Sequence, residues 1–192
     1  MLNRLQNLVI RVSQTWWLYL CVVLLFAGSL LSLLRIGEKF PSHAAGNLPF
    51  DLQNALTAAE VYPQLATWTE NARNLYYAFT LIDYAFPFFA GLFIAATAAF
   101  AMRVSLPTWY AALTRRNLLP VFMFGTAFDW LENIAALGVI SLYPTELRGL
   151  PIVLVLAKQL KLVCVLSAQA VTLLLLLYAA GNWLTARLRL RR

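Results

Sequence analysis

"FMFGTAFDWLENIAALGVI", residues 122–140, decides how this chain is read. The stretch is long and apolar enough to cross a bilayer, yet it carries Asp129, Glu132 and Asn133. These three stand at i, i+3 and i+4, so a helix projects them from one face, which Gly125 and Ala136 extend with small residues. A charge in hydrocarbon costs roughly 3 kcal/mol on insertion scales. Such a face therefore wants protein, water or a ligand beside it.

Outward from this stretch, the chain of 192 residues is 61% hydrophobic and only 12% charged, outside the range of soluble domains. Four apolar segments, 16–35, 76–101, 118–142 and 152–184, each approach or exceed the ~20 residues that a helical crossing needs. Strand-length alternation does not recur, which argues against a membrane barrel. The expected fold is all-α: one domain over 1–192, a four-helix transmembrane bundle.

The charges orient it. Arg4 and Arg11 precede the first segment, Arg103, Arg115 and Arg116 lie between the second and third, and Arg187, Arg189, Arg191 and Arg192 follow the fourth. Glu38, Asp51, Glu60, Glu70 and Glu146 lie in the intervening loops on the other side, and Asp83, Asp129 and Glu132 inside the apolar segments. By the positive-inside rule both termini are cytoplasmic. The net charge of +7 then reflects arginines facing anionic membrane lipids rather than nucleic acid. "SHAAG" mimics a signal cleavage site, but the apolar core from Trp16 to Leu34 is long for one and reads as a retained helix.

Cys21 and Cys164 are isolated within apolar segments and read as small packing residues. His43 is the lone histidine, which leaves no ligand set for haem or a His-based metal centre; neither cofactor nor metal is expected.

The outer loop, 36–75, opens irregularly with "GEKFPSHAAGNLPF". Thr57 followed by Glu60 has the spacing of a capping box, and Val61, Leu65 and Trp68 share one side of a helix. The expectation is an amphipathic helix near the outer interface with Trp68 at headgroup depth. A second run from Thr69 continues into the second span, completing an outer hairpin. Pro87 inside that span must free a backbone carbonyl or kink the helix. Tyr76, Tyr77 and Tyr84, like Trp16 and Trp17, read as interfacial belt aromatics.

At about 1.5 Å per residue, Asp129 and Glu132 come out roughly 16 and 21 Å from the inner boundary, and Asp83 roughly 28 Å. Lys158 and Lys161, one turn apart, fall near the outer boundary. Two carboxylates one turn apart do not both ionise cheaply in low dielectric unless a cation compensates. Asp129 and Glu132 are the candidate acid/base pair, and Asp83, Asn133, Lys158 and Lys161 the candidate ligand-binding groups. Against this stand two plainer readings: a polar network that merely glues helices, and lysines that snorkel to the interface.

The motifs Asp83-Tyr84-x-Phe86-Pro87 and Asp129-x-x-Glu132-Asn133, preceded by "EVYPQLATWTENARNLYYAF", resemble a family of small bacterial four-helix membrane proteins without an established activity. The resemblance covers about residues 57–142 and implies the fold and the same polar residues, but no reaction. Three functions are compatible with these features. One is an outward-facing intramembrane site for a lipid-like or amphiphilic molecule. Another is an accessory subunit docked on a membrane-protein partner or a second copy. The last is proton or cation translocation, which the sparse polar groups Ser167, Gln169 and Thr172 of the inner half support poorly.

Overall fold

The architecture comes from a computed structural model that describes residues 2–190. Arg191 and Arg192 of the basic C-terminal flank lie outside the described residues. The chain is 84% helical, with no strand among the described residues. Three helical stretches are long and apolar enough to cross a membrane: Trp16–His43, Glu70–Ser105 and Gly149–Leu188.

The first element is one the apolar segments did not announce. Helix α1, Leu2–Gln14, buries Val9 and Val12 against α5 (Phe86–Ser105), while Arg4 and Arg11 stay exposed. Its buried Gln6 donates through Nε2 to Thr114 O at 2.6 Å and Asn117 Oδ1 at 2.9 Å. Helix α2, Trp16–Lys39, follows; most of its surface is exposed and apolar, as lipid contact requires.

The loop beyond α2 folds into the body of the protein. Two 3₁₀ turns, Phe40–His43 and Phe50–Leu52, lead to the short helix α3, Val61–Ala66, and then to α4, Glu70–Asp83. The Thr57–Glu60 pair does form: the Thr57 N–H and hydroxyl both donate to Glu60 Oε2, at 2.8 and 2.7 Å. It closes a turn ahead of the helix instead of capping it, since α3 starts only at Val61. Val61, Leu65 and Trp68 share a buried face as expected. Trp68, however, is not at a lipid interface. It stacks on Phe50 at 4.6 Å and meets Phe40 edge-on at 4.9 Å, because the loop supplies its own aromatic core. Tyr76 likewise leaves the expected belt: it is fully buried and its hydroxyl donates to Asp51 Oδ2 at 2.6 Å.

Thr69 caps α4, its Oγ accepting from Ala72 N at 3.2 Å. The long second segment then breaks between α4 and α5, with Pro87 in the first turn of α5. Neighbouring side chains take up the carbonyls around the break. Asn133 Nδ2 donates to Asp83 O (3.3 Å), Trp130 Nε1 to Tyr84 O (2.9 Å) and Thr126 Oγ1 to Pro87 O (2.7 Å). All three donors lie on α7, Phe124–Leu142, so the break in one helix is completed by the face of another.

Helix α6, Pro107–Arg115, and a 3₁₀ turn, Leu119–Met123, connect α5 to α7. Small residues, among them Gly91, Ala95, Ala98 and Ala99, let α5 approach its neighbours closely. Helix α8, Gly149–Leu190, is continuous over 42 residues and extends past the end of the expected fourth segment.

Candidate functional site

The polar face of α7 meets α4 on one side and α8 on the other. Asp129, Glu132 and Asn133 are all buried, as the i, i+3, i+4 spacing requires of a face turned inward. Asn133 Nδ2 bridges two carboxylates, 3.0 Å from Asp83 Oδ2 and 3.5 Å from Asp129 Oδ1. From α8, Lys161 Nζ approaches Asp129 Oδ2 at 3.5 Å and Glu132 Oε2 at 2.5 Å, and Lys158 Nζ approaches Glu132 Oε1 at 3.4 Å. All six residues singled out from the sequence therefore form one cluster.

The lysines decide between two of the readings open in the sequence. Lys158 and Lys161 do not snorkel to an interface; both turn inward to the acids. The Lys161 ammonium also supplies the compensating cation between Asp129 and Glu132, so the pair need not share a proton to coexist. Lys158 is almost fully committed: besides Glu132 it donates to Phe50 O and, at 3.1 Å, to Gln53 O. Two of its three donors are thereby spent on backbone carbonyls, and the ion pair with Glu132 holds the ammonium within the cluster.

Those two carbonyls belong to the loop between α2 and α4, which caps the cluster. Phe50 is fully buried, and Asp51 beside it accepts from Tyr76. Sequence reasoning missed Phe50, Asp51 and Gln53. No periodic signal marked them: Phe50 is buried while its apolar neighbours Leu48 and Leu52 are exposed.

Exposure divides the cluster. The side chains of Glu132 and Lys158 are 0% and 3% exposed, those of Asp129 and Lys161 8% and 13%. Of the six, Asp129 lines a cavity. That cavity, of about 340 Å³, lies between α2, α5, α7 and α8, on the side of Asp129 away from the loop. Phe26, Phe86, Phe93, Val165, Leu173 and Leu176 give it apolar walls, and Thr97, Thr126, Gln169 and Thr172 its few polar atoms. Glu132, paired with Asp129 in the expected acid/base role, does not line it. The loop, through its contacts to Lys158, covers the other end of the cluster. Helices α2 and α8 both pack on α5 and scarcely touch each other, which leaves the cavity between them.

Two glycines shape this space. A Cβ on Gly125 would come within 2.5 Å of Val165 Cγ2, and one on Gly91 within 2.6 Å of Thr126 Oγ1. Close helix approach here depends on both. Among the described residues, no group of His, Cys, Asp and Glu is arranged to hold a metal ion.

Comparisons with protein-family models, with curated proteins and with solved structures returned no match. The functional reading therefore rests on the site's own geometry.

Proposed function

We propose that the chain is an integral protein of a bacterial cytoplasmic membrane, with four crossings and both termini inside, that binds a lipid-like or amphiphilic small molecule in the cavity ending on Asp129. The observation that carries this reading is a mainly apolar cavity closed at one end by a carboxylate whose ammonium partner keeps some exposure. Apolar walls with a few convergent polar groups are the usual chemistry of a small-molecule site. The ligand's apolar body would lie along α5 and α8, and its hydrogen-bond-donating or cationic end would meet Asp129. Glu132, Asn133, Asp83 and Lys158 would hold Asp129 and Lys161 in place beneath the loop.

The crossing by α7 is supported by its two faces. Phe124, Leu131 and Ile134 are exposed and apolar while the acids point inward, the distribution lipid contact favours. The orientation rests on arginines at α1, α6 and the end of α8.

One feature favours the accessory-subunit reading. At about 1.5 Å per residue α8 spans roughly 63 Å, twice a hydrocarbon core of about 30 Å, and its last turns expose Leu177, Trp183 and Leu184. A larger complex could cover that overhang.

Native mass spectrometry of protein extracted gently from its own membranes tests the two. Wild type should carry a reproducible small-molecule adduct that is lost from Asp129→Asn and from Ala90→Phe, which fills the cavity from α5. Adduct retention by both variants at normal thermal stability overturns the proposal. A protein partner held equally by all three forms establishes the accessory role instead.

A further inference from the structure

A second set of cavities lies where α1 meets the rest of the protein, and the function proposed above makes no use of it. One groove, of about 490 Å³, runs between α1 and the faces of α5 and α7 and is walled by Leu5, Leu8, Phe88, Phe124, Ala127 and Trp130. Arg4 stands at its edge. Beside it is a shallower recess of about 310 Å³ formed by Arg4, Asn7, Leu8 and Arg11 alone. Arg4 and Leu8 belong to both, so the recess and the groove are continuous. The groove shares only Thr126 with the cavity at Asp129.

The chemistry of the two parts differs sharply. Arg4, Asn7 and Arg11 stand at i, i+3 and i+7, so one face of α1 presents two guanidinium groups and an amide together. Arg4 and Arg11 take part in none of the ion pairs among the described residues, and the chain has no acidic residue before Glu38. Both side chains are exposed, while the opposite face of the helix is anchored on α5. The groove beyond them is apolar, floored by the Phe88 and Trp130 rings, which stack at 6.4 Å.

We propose that this pair of cavities is a binding site for one anionic phospholipid. The phosphate sits on Arg4, Asn7 and Arg11, and an acyl chain lies in the groove against Phe88, Phe124 and Trp130. Guanidinium groups suit the headgroup because they present forked donors that match phosphate oxygens. Charge complementarity selects an anionic lipid over a zwitterionic one, and the groove distinguishes a seated lipid from the diffuse attraction that any basic segment exerts on the inner leaflet. A bound lipid would also tie α1 to α7, two elements otherwise joined mainly through α5 and the turn at Leu119–Met123.

Trp130 is a built-in probe. The full-length protein in phosphatidylcholine nanodiscs would be doped with phosphatidylglycerol brominated on its acyl chains, or with phosphatidylcholine brominated in the same way. The Trp130 signal is obtained by difference from Trp130→Phe. Quenching of Trp130 should be stronger with the anionic lipid, and that preference should fall about fivefold for each of Arg4→Gln and Arg11→Gln. Ala127→Phe, which keeps both arginines and fills the groove, should abolish the preference, whereas Asp129→Asn should leave it unchanged. The proposal is overturned if the two brominated lipids quench Trp130 equally. It is also overturned if the preference survives Ala127→Phe, which would reduce the effect to surface charge. Should an arginine variant fail to fold, the Ala127→Phe comparison decides alone.

Discussion

Replacing Lys158 with methionine keeps the length and apolar character of the side chain and removes only the ammonium. In the folded protein that group touches Glu132 and the carbonyls of Phe50 and Gln53, with almost no water access. Removing one partner of a buried ion pair typically costs about 3–5 kcal/mol. The lower end applies, because Lys161 Nζ remains 2.5 Å from Glu132 Oε2 and still compensates part of its charge. A loss of about 3 kcal/mol is a factor of roughly a hundred in equilibrium. In a chain of this size it corresponds to a fall of roughly 6–12 °C in midpoint. Because two of the three lost contacts hold the loop between α2 and α4, the loss should be local first. Limited proteolysis within 44–56 should accelerate before the helices unfold. The assay is thermal unfolding in detergent with parallel proteolysis of wild type, Lys158→Met, Glu132→Gln and the double variant. The double variant should be less destabilised than the sum of the two single ones, since each removes the charge that the other strands. A cost below about 1 kcal/mol for Lys158→Met, with loop protection unchanged, would refute the claim that this lysine fastens the loop to the polar cluster.

Three further outcomes follow from the same geometry. Asn133→Ala should cost about 1–3 kcal/mol in thermal unfolding, because it strands the Asp83 carbonyl that Pro87 cannot satisfy; an unchanged midpoint would mean that water fills the role. Gly125→Ala should destabilise by about 1–3 kcal/mol through overpacking against Val165, and Gly125→Ala/Val165→Ala should recover part of that loss. In the loop before α3 the hydrogen bonds from Thr57 hold the Glu60 carboxyl below its ordinary value of 4.5. A depressed folded value means that the turn is fully supported above 4.5 and loosens as pH falls through that lower folded value. An NMR titration should show Glu60 returning toward 4.5 in Thr57→Val, and an unaltered midpoint would remove the turn as the cause.

The chain's own order determined several features that the fold then realised. Helical spacing alone placed Asp129, Glu132 and Asn133 on one face, because the α-helical period is local and a polar face among apolar neighbours has to turn inward. The break at Pro87 was likewise local, since proline has no N–H to give. The small amphipathic helix α1 was also legible in principle, from Leu2, Leu5, Val9 and Val12, but a search for long apolar segments passes over a helix that is half polar.

Tertiary structure decided the rest. Whether Lys158 and Lys161 reached outward or inward depended on where α8 met α7, because a long flexible stem reaches either way with little change in local energy. Trp68 and Tyr76 had the composition of belt aromatics, and only the folding back of residues 40–56 gave them a protein core instead of an interface. The division of the cluster between a sealed Glu132–Lys158 pair and a cavity-facing Asp129 was set by the gap between α2 and α8. Sequence fixes which residues share a face through short-range periodicity. What lies opposite that face depends on contacts between residues far apart in the chain, and no local pattern encodes those.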